Sequence, residues 1–433
     1  MTKIAKERAE NVFTDFKAAY TPQQALVEAN RCLFCADAPC IQACPTGIEI
    51  PQFIRKIATG NVKGSARTIF DSNILGMSCA RVCPVEVLCV GKCVYNEMGV
   101  PPIQIGKLQR YSTDHAFAEG WRFFEAAPDS GKSVGLVGAG PASLAAAHEL
   151  RRHGHACTIY DKRDVTGGLN TTGVAPYKMK ADRSEDEVEW VLGIGGIEVR
   201  TGVEVGRDVT WGELLQAHDA LFVGVGLGPD TRLDVPGADL SGIHGAVEAI
   251  ERVKLGTVDL SGVEHAVVVG GGNTAIDAVR ELRGLGVADV TMLYRGTEPG
   301  MSGYAHEWSA AKDEGVRARW QTQPVAFEGQ GRVQSIRCVR LDQAKQPIAG
   351  SEHEVPAELV LLAIGQSKLE ALLLGLGVTF ERGRVVVDEH QATARPGVYA
   401  GGDCANGGKE VVNAAAEGKR AALAIHEYIV RVT

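Results

Sequence analysis

The sequence predicts an α/β protein: a helical, cysteine-rich N-terminal domain followed by two doubly wound units. Three observations predict it. Eight of the eleven cysteines fall between Cys32 and Cys93. A strand–glycine turn–helix–strand unit begins at Lys132, and a second copy begins just after His265. The chain's 433 residues allow for about three domains at roughly 150 residues each. Its net charge of −8 argues against a nucleic-acid binder. No apolar run reaches the roughly 18–20 residues of a membrane helix.

Residues 1–125 read as helices joined by cysteine-bearing loops. Thr21-Pro22 opens a helix with proline at its favoured first position. Ile50–Ala58 and Val62–Phe70 are further amphipathic stretches. The cysteines form two runs: C-x2-C-x4-C-x3-C-P (Cys32, Cys35, Cys40, Cys44) and C-x3-C-P-x4-C-x3-C (Cys79, Cys83, Cys89, Cys93). Cys44-Pro45 and Cys83-Pro84 are similar to bacterial ferredoxin runs, where the cysteine before proline serves the other cluster. Two iron–sulfur clusters side by side would carry single electrons. Structural zinc usually repeats a tight C-x2-C pair, and only one occurs here. Disulfides need an oxidising compartment, but MTKIAKERAENVF at residues 1–13 has no signal-like apolar core. A cytoplasmic location is therefore expected.

In the first unit, the strand Val134–Val137 runs into Gly138-x-Gly140-x-x-Ser143 and a helix Ala142–Arg152. Gly138 permits the tight turn and Gly140 lets a pyrophosphate approach the backbone; Ala139, Pro141 and Ala142 complete the turn. Ser143 is small enough for helix to meet strand. The next strand, Cys157–Tyr160, ends at Asp161, which can accept from a ribose hydroxyl. In the second copy, Gly270-x-Gly272-x-x-Ala275 carries Gly271, Asn273 and Thr274 in the corresponding turn, and its second strand ends at Tyr294-Arg295. Two such sites in one chain suggest a flavin and a nicotinamide.

The last part, Val398–Gly408, reads as a strand ending in Gly402-Asp403, followed by a helix Val411–Ile429. This arrangement resembles the two-dinucleotide-binding-domain flavoproteins. There a late Gly-Asp returns to the FAD domain, the aspartate binds the ribityl chain, and the next helix points its N-terminal amides at the flavin. The resemblance implies an NAD domain inserted in an FAD domain, both Rossmann-like, preceded by an α-helical Fe–S domain. The expected boundaries are 1–125, 126–233, 234–366 and 367–433. Phe222–Pro229 and Leu361–Ser367 would be the crossovers, the latter bringing Ala363, Ile364 and Gly365 to the nicotinamide.

The segments RCLFCADAPCIQACPT, GMSCARVCPVEVLCVGKC, IQIGKLQRY, GAGPAS, GGL and AGGD together resemble the electron-input half of dihydropyrimidine dehydrogenases. They resemble the small subunit of glutamate synthases slightly less, and the likeness covers nearly the whole chain. The glutamate synthase subunit has Glu where this chain has Gln109; the dihydropyrimidine dehydrogenases have Gln. The resemblance implies one [4Fe–4S] cluster on Cys32, Cys35, Cys40 and Cys93 and another on Cys44, Cys83, Cys89 and Gln109. Cys79 is left over, although spacing alone allows two all-cysteine sites. The resemblance also adds Gly167, Gly168, Leu169, Lys178 and Val205 to the flavin site. Cys157 and Cys338 sit in apolar strand patterns and read as core thiols. The inserted unit has no C-x-x-C, which counts against a thioredoxin-reductase disulfide.

Arg295 stands where an acid favours NAD and an arginine accepts the 2′-phosphate of NADP. The NADPH-using relatives carry further basic residues at positions matching Gly296 and Ser302, and Glu298 adds negative charge nearby. NADH is therefore the expected donor. Hydride transfer needs no side-chain acid or base, so no catalytic residue is assigned. Only 30 residues follow Asp403, too few for an FMN-binding barrel. The expected partner is an FMN-containing, barrel-fold subunit that reduces uracil or thymine to the 5,6-dihydro base. The alternatives are a glutamate synthase small subunit and a non-catalytic redox sensor.

Overall fold

In a computed structural model describing residues 4–432, the N-terminal region is built from six helices: α1 (Pro22–Asn30), α2 (Pro39–Gln42), α3 (Ile50–Ala58), α4 (Val62–Ser72), α5 (Gly76–Val82) and α6 (Ile105–Ala118). Thr21 starts α1 with a reciprocal capping box to Gln24. The apolar stripe of α3 places Ile50, Phe53, Ile54 and Ile57 on one buried face. Each contributes about 1.5–3 kcal/mol of transfer free energy. They share a core with Cys79, Cys83, Cys89 and Cys93.

The first α/β unit contains β1 (Ser133–Val137), α7 (Pro141–Arg152), β2 (Ala156–Asp161), α8 (Leu169–Thr172), α9 (Ala181–Leu192), β3 (Ile197–Thr201), α10 (Trp211–Ala217) and β4 (Ala220–Val223). The second contains β5 (Ile243–Gly245), α11 (Ala246–Leu255), β6 (His265–Val269), α12 (Asn273–Gly284), β7 (Asp289–Tyr294), α13 (Ala305–Asp313) and β8 (Arg317–Trp320). An antiparallel layer follows, β9 (Thr322–Gly329), β10 (Val333–Arg340) and β11 (His353–Pro356), and then β12 (Leu359–Leu362). The return to the first unit comprises α14 (Glu370–Leu373), β13 (Phe380–Glu381), β14 (Arg384–Val385), β15 (Val398–Ala400), α15 (Asp403–Asn406) and α16 (Val411–Val432).

Two parallel five-stranded sheets result, in the orders β15-β4-β1-β2-β3 and β5-β12-β6-β7-β8. Both faces of their central strands are covered. The near-continuous apolar runs of β1 and β6 reflect this. β15 pairs with β4, so the chain re-enters the first sheet only after completing the second. The two connections between the units run side by side. Gly228 N donates to Ser367 O, Ser367 N to Pro229 O and Thr231 N to Gly365 O, each at 2.9 Å. Long α16 crosses α7 where Gly418 meets Ala142; a Cβ there would lie 2.0 Å from the Ala142 carbonyl oxygen. Before α1, Glu10 and Phe13 pack against the α/β units. Glu10 accepts from Ala181 N at the start of α9, and Phe13 is buried among Ala175, Tyr177 and Val253. Among the described residues no helix is long and apolar enough to cross a membrane.

Candidate functional site

The eight clustered cysteines divide between two pockets. Cys32, Cys35, Cys40 and Cys93 line the first together with apolar side chains of α3 and the 94–105 segment. Cys44, Cys83, Cys89 and Gln109 line the second, and Cys79 lines it too. Burial above all pushes the Cys40 thiol up to about 12 and raises that of Cys32. Cys83 rises through its hydrogen bond with Cys79 and its burial, and Cys89 through burial, then Cys83 and Cys44. Thiolates crowded into an apolar pocket repel one another, so such a donor set fits a polycationic occupant. Among the described residues no three His, Cys, Asp or Glu side chains converge on one metal-ion position. A single zinc would draw its sulfurs to about 2.3 Å. A cube of irons and sulfides instead takes its four donors around a larger centre.

Gln109 is buried on α6, and its Nε2 donates to Gly76 O at 2.8 Å. That bond fixes the amide and leaves Oε1 as the group with acceptor capacity. The first pocket is the more exposed: Cys32, Cys35 and Cys40 are partly exposed and Cys93 is buried, whereas in the second Cys79, Cys83 and Cys89 are buried and Cys44 is partly exposed. Lys17 donates to Cys83 O at 2.7 Å beside the second pocket. Val412, in the first turn of α16, closes that pocket from the side of the first α/β unit.

The glycine turns have the conformations their residues permit. Gly138 has φ +93°, and a Cβ would sit 2.3 Å from Gly224 O. Nothing lies within 4 Å of a Cβ built on Gly140, which leaves the approach open for a pyrophosphate. Asp161 at the end of β2 accepts from Ala139 N at 2.6 Å and Arg163 N at 2.8 Å, so it stands across the turn. Ser143 Oγ is buried without a partner, as is Asn170 Oδ1 one residue beyond Leu169. Two orphaned polar atoms around an open glycine turn fit a polar cofactor such as FAD. Gly168 (φ +54°) packs on Gly140, and Gly402 (φ +74°) faces Ala142 across the same turn. Asp403, raised by burial, begins α15 beside them.

The second turn is built alike: Gly270 backs onto Ala363 O, Gly271 faces the Tyr294 ring, and Asn273 Oδ1 accepts from Tyr304 N at 2.9 Å. Thr274 follows in the first turn of α12, and Gly365 is open with φ +109°. Ile364 and Arg295 are exposed. Glu298 is engaged: it accepts from Trp308 Nε1 at 3.0 Å and Lys312 Nζ at 2.7 Å, which compensates the charge expected to repel a phosphate.

The two remaining expected flavin residues are Val205 and Lys178. Val205 lies in the core with Val137, Tyr160 and Trp211. Lys178 bridges to the second unit, 2.8 Å from both Asp277 of α12 and Glu307 of α13. Burial opposes its charge, but the two carboxylates outweigh it and hold its pKa above the ordinary lysine value. Tyr177 donates to Asp277 and Tyr304 to Glu410, so this buried polar cluster joins α12, α13 and the entry to α16. Asp277, Glu307 and Glu410 escaped the sequence reading because their partners are remote in the chain. Asn170 Nδ2 donates to Ser78 Oγ at 2.9 Å, joining α8, which begins after Gly168, to the helix that carries Cys79.

Residues 8–121 match the family described as dihydropyrimidine dehydrogenase domain II, 4Fe-4S cluster, and residues 132–418 match the one described as pyridine nucleotide-disulphide oxidoreductase. The glutamate synthase (NADPH) small chain of Halomonas elongata is 35% identical over 458 residues, covering 99% of this chain and 95% of that one. The NAD-dependent dihydropyrimidine dehydrogenase subunit PreT of Escherichia coli K12 is 34% identical over 422 residues, covering 97% of this chain and 98% of that one. Among solved structures, FprA from Mycobacterium tuberculosis superposes with a TM-score of 0.57 at 20% identity, covering 71% of this chain and 86% of that one. That last likeness speaks for the fold alone.

Proposed function

The chain belongs to the pyridine nucleotide-disulphide oxidoreductase family, with an iron–sulfur domain of the dihydropyrimidine dehydrogenase kind ahead of it. From that premise we propose that it is the NADH-oxidising subunit of a dihydropyrimidine dehydrogenase, delivering electrons to an FMN-containing partner that reduces uracil or thymine. The observation that carries this reading is the continuity of the sites. Asn170, beside the first glycine turn, is bonded to Ser78 of α5, and α5 bears Cys79 and leads to Cys83 of the second thiol pocket. When bound, FAD accepts hydride from NADH and two [4Fe–4S] clusters pass electrons on singly.

The chain's own residues do the holding and orienting. Gly138, Ala139, Gly140, Pro141, Ala142, Ser143 and Asp161 would hold the dinucleotide of the flavin, with Gly168, Leu169, Gly402 and Asp403 around it. Gly271, Gly272, Asn273, Thr274, Arg295, Ala363, Ile364 and Gly365 would hold the nicotinamide nucleotide. Cys44, Cys83, Cys89 and Gln109 form the inner relay site. Cys32, Cys35, Cys40 and Cys93 form the outer one, and its partly exposed Cys32, Cys35 and Cys40 suit onward transfer to a partner. Eleven free cysteines suit the reducing cytoplasm, which this reading takes as the compartment.

The test is reconstitution. The purified protein should show flavin absorbance and reduce an artificial acceptor with NADH. Mixed with an FMN-barrel dehydropyrimidine-forming partner, it should support NADH-dependent uracil reduction. Activity only with a glutamate synthase large subunit would overturn the substrate assignment and leave the electron-transfer role intact.

A further inference from the structure

The second thiol pocket holds a polar group that neither the relay scheme nor the sequence motifs account for. Asn73 closes the C-terminal end of α4, is 1% exposed and lines the pocket beside Cys79, Cys83 and Gln109. Its Oδ1 accepts from Leu75 N at 3.0 Å. Because a backbone N–H can only donate, this bond fixes which end of the amide is oxygen. The other end, Nδ2, carries two N–H donors, is buried and has no hydrogen-bond partner. An amide donor left unmade in an apolar setting is destabilising, so such groups are normally paired. The rest of the lining offers it little: apart from thiols and Gln109 it is Pro45 and aliphatic side chains such as Ile48, Ile50, Val85 and Leu88. The first pocket has no comparable group, since none of the orphaned buried atoms belongs to its lining residues.

We propose that Asn73 is the N–H donor to the sulfur of the group held by Cys44, Cys83, Cys89 and Gln109, and that it raises the reduction potential of this inner site relative to the outer one. The proposal rests on the electron-relay reading above. Uptake of one electron, supplied by NADH in that reading, adds one negative charge to the site and breaks no bond. An N–H directed at sulfur stabilises the added charge, and hydrogen bonds to sulfur are among the determinants of cluster potential. Gln109 in place of a thiolate acts in the same direction by removing one negative charge from the ligand set. The inner site is thereby made the better electron acceptor of the two. Asn73 acts as a positioning and tuning residue and not as a ligand.

The experiment is an EPR-monitored redox titration of the whole protein and of Asn73→Leu and Asn73→Asp, with iron counts. Asp preserves the acceptor for Leu75 N and removes the donor, and Leu removes the donor without adding charge. Both variants should keep about eight irons. In both, one signal should move to more negative potential, by about tenfold in its reduced-to-oxidised ratio, which is about 59 mV for a one-electron couple. The signal that moves should be the one that also moves in Gln109→Cys. A second readout needs no variant: reduced wild-type protein labelled with 15N-asparagine should show a weak nitrogen coupling in pulsed EPR. A full iron complement in Asn73→Leu with unmoved potentials overturns the proposal, as does the absence of any asparagine coupling in the wild type. A movement in Asp alone also overturns it, because charge then explains the shift. If the wild-type protein holds no iron at all, the relay reading falls with it, whereas the other negative outcomes leave that reading standing.

Discussion

Gln109 and Cys79 compete for one corner of the inner site. Both line the same pocket as Cys44, Cys83 and Cys89, so five side chains face four coordination positions. We take Gln109 as the ligand, following the family pattern: its Nε2 is held by Gly76 O and its acceptor is left over. Cys79→Ser should therefore keep both clusters, and Gln109→Ala should lose about four irons. Iron analysis with EPR on the two variants checks this, and the reverse pattern would mean two all-cysteine sites. At the nicotinamide, Arg295 is exposed and stands without a basic companion at Gly296 or Ser302. We expect a higher kcat/KM with NADH than with NADPH. One arginine–phosphate contact is worth about 1.5–3 kcal/mol, so some NADPH use should persist. Installing Arg at both positions should shift the ratio toward NADPH. A tenfold preference of the unmodified protein for NADPH would refute the reading of this loop.

At the scale of the element, α5 is the piece on which the inner site depends. It is only seven residues long, too short to hold itself together, and its first amides are satisfied from another domain. Met77 N and Ser78 N donate to Glu187 of α9 at 2.9 and 3.1 Å, and Ser78 Oγ is bonded to the same carboxyl. Glu187 is completely buried; burial pushes its pKa up to about 7 against the pull of the Ser78 and Met77 hydrogen bonds. Glu187→Ala strands two buried N–H groups and should destabilise the protein by about 1–3 kcal/mol. It should release iron from the inner site before the outer one. Glu187→Gln retains an acceptor and should keep most of both properties. Urea unfolding followed by tryptophan fluorescence, with iron release recorded alongside, measures the two effects. Equal iron loss from both sites would refute the special role of α5.

For the whole molecule, several buried histidines set the acid limit. Burial first, then Arg152 and Lys419, pushes His148 down to about 3; burial and then His426 lower His153 and His155. All three bind a proton less readily in the fold than when unfolded, where histidine titrates near pH 6.5. Their contribution is thus fully present above that pH and is lost progressively below it. Glu187 works the other way. Its raised pKa means that its contribution is complete below about 4.5 and is lost as pH rises through 7. For His148 alone the acid loss between pH 6.5 and 5 should be about 2 kcal/mol. The stability difference between wild type and His148→Leu should narrow or reverse by that amount over the interval. An unchanged difference would show that His148 is protonated in the fold.

The sequence by itself determined what is local. The capping box at Thr21, the stripe Ile50–Ile57, the two glycine turns with their flanking strands, and the helix beginning at Val411 all lie where short-range spacing puts them. Such features follow from backbone sterics and from the 3.6-residue and two-residue periods, which adjacent residues carry without help. The cysteine spacing announced a metal-binding region. Gln109, however, was legible only through resemblance, since nothing in its own helix distinguishes it from a solvated glutamine. Tertiary structure alone decided the pairing of Lys178 with Asp277 and Glu307, the capping of α5 by Glu187, and the place of Asn73 in the lining of the inner pocket. The Glu187 cap joins groups about a hundred residues apart. Its partners are selected by how the sheets, α9 and α16 approach the helical domain, and no periodicity in the chain records that approach.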